Sequence, residues 1–410
     1  MNARVVKKKD NYYIALESYE NGERVTKSIS VRKELGLNRP AKSSEAKALR
    51  DKIMTDFRQG TYIAPTHKLL KDYLVEWVDG YKYNLKTTTH ESYVSFINHH
   101  IIPEIGGHTI PNLRPSHLRK LYAKKLVSGR ADGKEGGLSA RSVKYIHTII
   151  LLALGHAVQD EIVSRNVAEL VSPPRAEKPQ IKYWSWDQAK RFLAETEKDR
   201  YYIFYLIALS TGMARGEILG LRWQDINWDK YTISIRQTIV NTNSGPLVQA
   251  SAKTETRERT LDVTKGLLDK LKEYRKRQAQ ETLALGTRAT EEDKDAQSKE
   301  ERKGLILTAK TGKLVMPRTI DRSFQCAINR INKKEEDDKK KNKEAKSYLP
   351  LITIHCLRHT YATHLLEEGI HPKVVQERLG HSSIRITLDT YSHVVPRLQK
   401  EVALLADDLI

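Results

Sequence analysis

The sequence predicts a multidomain protein. It consists of a small N-terminal α+β domain (a three-stranded sheet plus a helix), an all-α helical domain, and a mixed, mainly α domain with a small antiparallel sheet. Three observations predict this. The 410 residues suggest about two to four domains. A strand pattern with one helix gives way to helical spacing throughout near residue 65, and a proline-rich segment precedes a third, mixed pattern. We place the domains at 1–64, 65–171 and 181–410, with a linker at 172–180.

The N-terminal domain is predicted from a hairpin signal. The β-prone runs Tyr12–Leu16 and Val25–Val31 flank Asn21-Gly22, and Asn-Gly between such runs favours a tight turn. A helical pattern begins at Ser43. Residues 1–66 contain 14 Lys and Arg against 8 Asp and Glu. We expect a small DNA-binding module, with three basic residues ahead of the first strand as candidate contacts: Lys7, Lys8 and Lys9.

The second domain is predicted to be helical throughout. Apolar residues recur at helical spacing in Leu69–Trp77, and Ser139 is placed to cap a helix that contains the apolar run Ile149–Leu154. Four basic residues spread over this region are candidate DNA contacts: Lys82, Lys86, Arg141 and Lys144. Any one of them alone is more typical of a solvated surface.

The third domain mixes helices and strands. Ser185 to Gln188 has the form of a capping box, and Tyr231–Val240 is strand-like. A turn is predicted at Gly245-Pro246, followed by strand material in Leu247–Val263. Two segments, 288–303 and 333–346, resemble insertions. Because the second is almost wholly charged, we expect it to be a flexible surface loop.

Composition narrows the classes of function. The net charge of +20 favours a polyanionic partner, above all nucleic acid. No run approaches the ~18 apolar residues of a membrane span, and no secretory signal opens the chain, so we expect no membrane partner. The two cysteines, Cys326 and Cys356, exclude a disulfide scaffold and fit a reducing cytoplasm.

Chemistry-bearing residues cluster in the third domain. His355 and Arg358 stand at i, i+3, which is one face of a helix. Gly380-His381 follows a short helix predicted to begin near Pro372, and Tyr391 comes ten residues after His381. Upstream lie two further elements, the Thr211–Glu217 segment and Lys253. Each piece alone is a weak signal.

Metal and cofactor chemistry are not predicted. His355, His359 and His364 share one predicted helix, but no Cys or carboxylate cluster accompanies them. P-loop and dinucleotide-binding fingerprints are absent from the sequence. We therefore expect no metal and no cofactor.

Taken in order, this set resembles the tyrosine recombinases, the phage and transposon integrase family. The resemblance covers nearly the whole chain and implies an arm-binding, a core-binding and a catalytic domain. It implies that Tyr391 is the nucleophile, which forms a 3′-phosphotyrosyl link, and that Lys253 is the general acid. His355 would assist proton removal, Arg358 and His381 would hold the phosphate oxygens, and Glu217 would brace the site.

Independent chemistry agrees with these roles. A phenol has a pKa near ~10, so a tyrosine needs a base and a polarised phosphate before it attacks. Charge that gathers on the phosphate oxygens requires donors held in place beforehand. A phosphotyrosyl ester conserves the energy of the broken bond, so rejoining needs no ATP.

The sequence departs from the family at one position. The family places its first catalytic arginine directly after Thr-Gly-x, whereas Ala214 follows Thr211-Gly212-Met213 here. Arg215 resembles the non-catalytic neighbour, and a helix would point it about 100° away from position 214. Losing one preorganised donor costs ~2.7–4 kcal/mol, roughly 10²–10³ in rate. We expect DNA binding to survive and turnover to fall.

The resemblance also implies partners. These are double-stranded DNA with core-type and arm-type sites, a homotetramer on DNA, and a directionality factor or host DNA-bending protein. The expected setting is the bacterial cytoplasm, on the nucleoid. Two alternatives stay open. One is a DNA-binding regulator or architectural protein on a recombinase scaffold, and the other is a topoisomerase-like enzyme.

Overall fold

The computed structural model describes residues 2–20, 23–59, 67–130, 133–177, 180–250, 259–285, 304–341 and 346–391. The chain divides into two compact units, Met1–Glu177 and Lys178–Ile410. The predicted fold class is confirmed. A small sheet with a helix and a helical region make up the first unit, and helices with a small antiparallel sheet make up the second. No helix in the described ranges is long and apolar enough to cross a membrane.

The N-terminal sheet is antiparallel in the order β1-β2-β3, and two helices follow it. The elements are β1 Asn2–Lys8, β2 Asn11–Glu20, β3 Glu23–Ser30, α1 Val31–Glu34 and α2 Ser43–Arg58. Ile14 and Leu16 of β2 pack with Ala46, Leu49 and Ile53 of α2. Asn21 and Gly22 lie outside the described residues, between the paired Glu20 and Glu23.

One placement in this sheet differs from the prediction. Lys7 and Lys8 lie within β1 rather than ahead of the first strand, opposite Tyr12 and Asn11 of β2. Only Lys9 lies in the turn, with a positive φ of 53°. The partly buried Ala3 and Val5 pack against the same core, which is why the chain is already a strand before the lysines.

The helical part of the first unit has its own core. Its helices are α3 Leu70–Gly80, α4 Thr87–Phe96, α5 Ile102–Ile105, α6 Pro115–Val127 and α7 Ala140–Gln159. The hydroxyl of Ser139 accepts a hydrogen bond from the Ser142 amide at 3.2 Å, so the predicted cap is confirmed. Ile149, Ile150 and Leu154 are buried on α7, as predicted.

The predicted domain boundary at 64–65 falls among residues 60–66, outside the described part, and stays a prediction. The described residues of the proposed linker, 172–177 and 180, form neither helix nor strand.

The second unit surrounds a large apolar core. Its helices are α8 Trp186–Thr196, α9 Tyr202–Thr211, α10 Arg215–Leu219, α11 Lys265–Leu285, α12 Pro317–Lys340, α13 Ile354–Glu367, α14 Pro372–Leu379 and α15 Ile384–Tyr391. Its strands are β4 Ile226–Asn227, β5 Thr232–Ile235, β6 Gln237–Thr242, β7 Gly245–Ala250 and β8 Arg259–Asp262. Strands β4-β5-β8 form one antiparallel sheet, and β6-β7 form a hairpin. Trp184, Phe192, Tyr205 and Phe324 pack together at the centre of the core.

The predicted capping box at Ser185 is confirmed. Gln188 and Ser185 exchange hydrogen bonds between side chain and backbone at 3.0 and 3.2 Å. The turn predicted at Gly245-Pro246 is wrong by two residues. The turn is Asn243-Ser244, and Gly245 and Pro246 already pair with Thr242 and Asn241. Proline is tolerated at the start of such an edge strand.

The loop predicted at 333–346 is also wrong over most of its length. Helix α12 continues through Lys340, because Glu335 keeps the phase of the buried stripe that contains Ile328 and Ile331. The Glu335 carboxylate is 5% exposed and pairs with Arg191 of α8. The high charge of the segment predicts a loop because it treats every carboxylate as exposed. A buried carboxylate with an ion-pair partner, however, can occupy the buried face of a helix as an apolar residue does. Residues 342–345, and the other predicted insertion at 288–303, lie outside the described residues.

A proline substitution distinguishes the helix from a loop. We expect Lys333→Pro to lower the free energy of unfolding by about 3 kcal/mol, because proline removes a backbone hydrogen bond and clashes inside a helix. Lys333→Ala is the matched control and should change stability little. Urea denaturation of the two variants measures the difference, and equal stabilities would contradict the helix.

Candidate active site

Arg358 is the most deeply placed cation of the candidate site. It lies on α13, is 8% exposed, and donates hydrogen bonds to the carbonyl oxygens of Gly212 at 3.0 Å and Leu379 at 2.6 Å. Gly212 follows the last residue of α9, and Leu379 is the last residue of α14. The C-terminal end of a helix carries partial negative charge, so both ends favour a cation. The guanidinium thereby ties two helix ends together.

A second arginine ties down the start of α10. Arg259 of β8 donates to both carboxylate oxygens of Glu217 at 2.9 Å, and its Nε donates to the Arg378 carbonyl at 2.8 Å. The backbone N–H of Ala214 donates to Glu217 Oε2 at 2.8 Å. Burial alone would raise the pKa of Glu217, but the hydrogen bonds and charge of Arg259 outweigh it, and the pKa lies below its usual range. Glu217 is therefore a carboxylate.

Two glycines make room for side chains of the site, Gly380 for Arg259 and Gly212 for Tyr361. Gly212 and Gly380 adopt left-handed backbone, with φ of 67° and 69°, and end α9 and α14 respectively. A Cβ on Gly380 would lie 2.7 Å from Nη1 of Arg259, and one on Gly212 would lie 2.4 Å from the Tyr361 ring. Only glycine fits both the conformation and the space.

The Tyr391 hydroxyl is hydrogen bonded to a histidine. It lies 2.9 Å from Nδ1 of His359, and Tyr391 is 2% exposed. The ring of His355 meets the ring of His359 edge-on, with 4.7 Å between centroids. Burial raises the pKa of Tyr391 to about 12, although the charge of Arg358 opposes this rise. The hydroxyl is therefore protonated at neutral pH.

His381 is held neutral next to these groups. Its Nδ1 lies 2.9 Å from the Thr387 hydroxyl oxygen. Burial, helped by the positive charges of Arg358 and Arg259, lowers the pKa of His381 to about 4. Partial removal from water, together with Arg358 and Arg215, also lowers the pKa of His355. Both rings are neutral near pH 7 in the absence of a bound anion.

Position 214 begins the helix that carries Glu217. Ala214 is extended, with φ of −71° and ψ of 152°, and Arg215 is the first residue of α10. The expected 100° helical angle between these two side chains is therefore wrong, because residue 214 is not helical. Arg215 pairs with Asp321 of α12, and both side chains are partly exposed.

The second unit thus brings five of the sequence-predicted residues into electrostatic or hydrogen-bonded proximity: Glu217, His355, Arg358, His381 and Tyr391. Lys253 lies outside the described residues. In the first unit Lys7, Lys8, Lys9, Lys86, Arg141 and Lys144 are exposed, and Lys82 pairs with Asp79 at 3.2 Å. Within the described residues, no group of three or more His, Cys, Asp or Glu could hold a metal ion.

Sequence reasoning missed two residues of this cluster. Arg259 shares a strand face with the buried Leu261, two residues on, and an arginine in that register signals an inward ion pair. In the sequence, His359 stands out only as one of three histidines on a predicted helix. Its i, i+4 spacing from His355 was the available signal.

Removing Arg259 tests the Glu217 ion pair. We expect Arg259→Ala to lower the free energy of unfolding at pH 7 by about 3 kcal/mol, because a buried carboxylate loses its partner. In the parent chain the lowered pKa of Glu217 contributes stability above its unfolded pKa, and this is lost as pH falls through the folded value. An unpaired buried Glu217 is instead relieved by protonation, so the penalty should shrink from pH 7 to pH 4.

Denaturation curves across that pH range measure the effect. The control is the double variant Arg259→Ala with Glu217→Gln, which should recover most of the loss at pH 7. A penalty that stayed constant with pH, or that the double variant did not relieve, would contradict the ion-pair account.

Most of the second unit and part of the first match known protein families. Residues 182–397 match the model of the Phage integrase family, and residues 69–127 match that of the Phage integrase N-terminal SAM-like domain. The chain is 24% identical over 381 residues to a tyrosine recombinase XerC-like protein of Caldanaerobacter subterraneus, covering 89% of each protein. It is 27% identical over 308 residues to the ICEBs1 integrase of Bacillus subtilis, covering 75% of this chain and 76% of that protein.

Solved structures share the fold. A fragment of the Tn1549 transposon integrase in complex with transposon right-end DNA superimposes with a TM-score of 0.61 at 17% identity, covering 82% of this chain and 99% of that one. A lambda integrase tetramer bound to a Holliday junction gives a TM-score of 0.51 at 16% identity, covering 92% of both chains.

Proposed function

Because the chain belongs to the phage integrase family, we propose that it is a site-specific tyrosine recombinase that integrates or excises a mobile element. The observation that carries the proposal is the position of Tyr391. The Tyr391 hydroxyl is hydrogen bonded to Nδ1 of His359, and the charge of Arg358 favours the ionised form of Tyr391. A phenol prepared in this way beside a buried cation suits attack on a phosphodiester.

The chemistry proceeds by transfer of one phosphoryl bond. The Tyr391 oxygen attacks the scissile phosphorus and loses its proton to a nearby base. The bond from phosphorus to the 5′ oxygen breaks, leaving a 3′-phosphotyrosyl link and a free 5′-hydroxyl. Lys253 protonates the leaving oxygen, and a 5′-hydroxyl of another strand later reverses the step to rejoin DNA.

Arg358 and His381 stabilise the phosphate oxygens. The two described contacts of Arg358 use two of the five N–H groups of its guanidinium, and both acceptors are uncharged carbonyls. Its charge is thus available to an incoming anion. Burial, helped by the charges of Arg358 and Arg259, holds the pKa of His381 near 4. An anion beside the ring would offset those charges and so favour proton uptake.

Ala214 impairs this chemistry in the present chain. The position begins α10, and its N–H contacts the same Glu217 oxygen as Arg259 does. An arginine there would add a third guanidinium to those of Arg259 and Arg358. Its absence should cost ~2.7–4 kcal/mol of transition-state stabilisation, or roughly 10²–10³ in rate.

Beyond the active site, the candidate DNA contacts lie in both parts of the first unit. The exposed Lys7, Lys8 and Lys9 support an arm-binding role for residues 1–64, and exposed Arg141 and Lys144 support a core-binding role for α7. Such contacts add affinity through counterion release. The proposal includes a homotetramer on DNA in the bacterial cytoplasm, assisted by a directionality factor or a DNA-bending protein.

A nicked suicide DNA that carries the core site tests the proposal. It traps the phosphotyrosyl link as an adduct that resists SDS. We expect Ala214→Arg to form this adduct roughly 10²–10³ times faster than the parent chain. Tyr391→Phe in the same background should form none, because the nucleophile is gone.

Arg215 is tested alongside. If Arg215→Ala abolishes a residual parent adduct, Arg215 supplies part of the missing charge, and the impairment by Ala214 is smaller than proposed. No adduct with Ala214→Arg, despite tight DNA binding, would favour the alternative of a DNA-binding regulator on a recombinase scaffold.

A further inference from the structure

His359 lies next to the Tyr391 hydroxyl, whose proton must leave when the oxygen attacks phosphorus. It follows Arg358 directly on α13, and its Nδ1 lies 2.9 Å from the Tyr391 hydroxyl oxygen. The two rings are 5.7 Å apart at 64°. The 2.9 Å between Nδ1 and the hydroxyl oxygen is within the range over which a general base takes a proton directly.

The position of His355 differs from that of His359. His355 lies one helical turn earlier and meets His359 edge-on, with an interplanar angle of 84°. It is near the charges of Arg358 and Arg215. Those neighbours suit a group that donates to a phosphate oxygen. The resemblance to the family implies that His355 assists proton removal. In this structure, however, it is His359 that is hydrogen bonded to the Tyr391 hydroxyl.

Resting on the proposed function, we propose that His359 is a catalytic residue, the general base that removes the Tyr391 proton. The role requires the tautomer in which Nδ1 accepts from the Tyr391 hydroxyl and Nε2 carries the ring hydrogen. As the Tyr391 oxygen bonds to phosphorus, its proton moves to Nδ1, and the bond from phosphorus to the 5′ oxygen breaks. The leaving oxygen takes its proton from Lys253, so His359 ends the step as an imidazolium.

Burial makes such a base necessary. The raised pKa of Tyr391, about 12, leaves very little phenolate at neutral pH. Among the described residues, the charged and titratable groups near the pair include His355 and Arg358, both on α13. Arg358 favours the phenolate, but its charge alone does not remove the proton.

The test uses the full chain with Ala214→Arg as the reference and measures single-turnover adduct formation at saturating suicide DNA. We expect His359→Ala and His359→Asn both to slow the step about 10²-fold, because general-base catalysis contributes on that scale. Asparagine keeps an acceptor near the phenol but takes no proton. His364→Gln is the matched control on the same helix. His364 stacks on Trp186, and its replacement should leave the rate within about twofold.

Two further readouts separate proton removal from support of the fold. DNA with a sulfur in place of the bridging 5′ oxygen has a leaving group that needs no acid. The His359→Asn defect should persist on this DNA, whereas a Lys253→Ala defect should largely disappear. With no internal base, the His359→Asn rate should also rise about tenfold per pH unit between pH 7 and 9, more steeply than the reference.

The outcomes are distinct. A reference rate retained by His359→Asn, or a defect cured by the sulfur substitution, would overturn the role of His359 and leave the proposed function standing. If the reference chain itself formed no adduct, both would fall. A slow His359→Asn that binds DNA normally and melts with the reference supports the role.

Discussion

A guanidinium buried away from water keeps its charge, and the second unit is arranged to satisfy that constraint. Arg358 finds its acceptors in the carbonyls of Gly212 and Leu379, which end two helices. The helix ends must therefore converge on one point, and left-handed glycines end both of them. The hydrogen-bond partners of Arg358 are carbonyls, and the nearby carboxylate of Glu217 is bonded by Arg259, so two guanidinium groups face a single carboxylate in the described part of the chain.

Arg259 contrasts with Arg358. It faces Glu217 with two hydrogen bonds, so its charge is largely neutralised, and its contribution is to hold α10 and the end of α14 in place. Arg358 thus supplies positive charge to the site, whereas Arg259 holds neighbouring elements in place. His381 and His355 are kept neutral chiefly by loss of water, helped by the charges of nearby arginines, while Tyr391 is kept protonated by burial.

The sequence was sufficient for the order of domains and for the motifs of the site, because these depend on local spacing. The helical register of His355 and Arg358 and the helix before Gly380 follow from such spacing. It was insufficient where a contact joins distant segments. The segment around Glu335 is predicted as a loop because the partner that lets this carboxylate be buried, Arg191, lies 144 residues away in the sequence. Arg259 and His359 were missed for the same reason, since their partners come from other elements.

A crystal structure of the full chain with Ala214→Arg and Tyr391→Phe on core-site DNA would show whether the cationic site around Arg358 is already formed before DNA binds. If it is, Arg358 keeps its bonds to Gly212 and Leu379 while Arg358 and the arginine introduced at 214 both contact the scissile phosphate. If instead Arg358 leaves both carbonyls, or the phosphate lies beyond its reach, the site is not preformed.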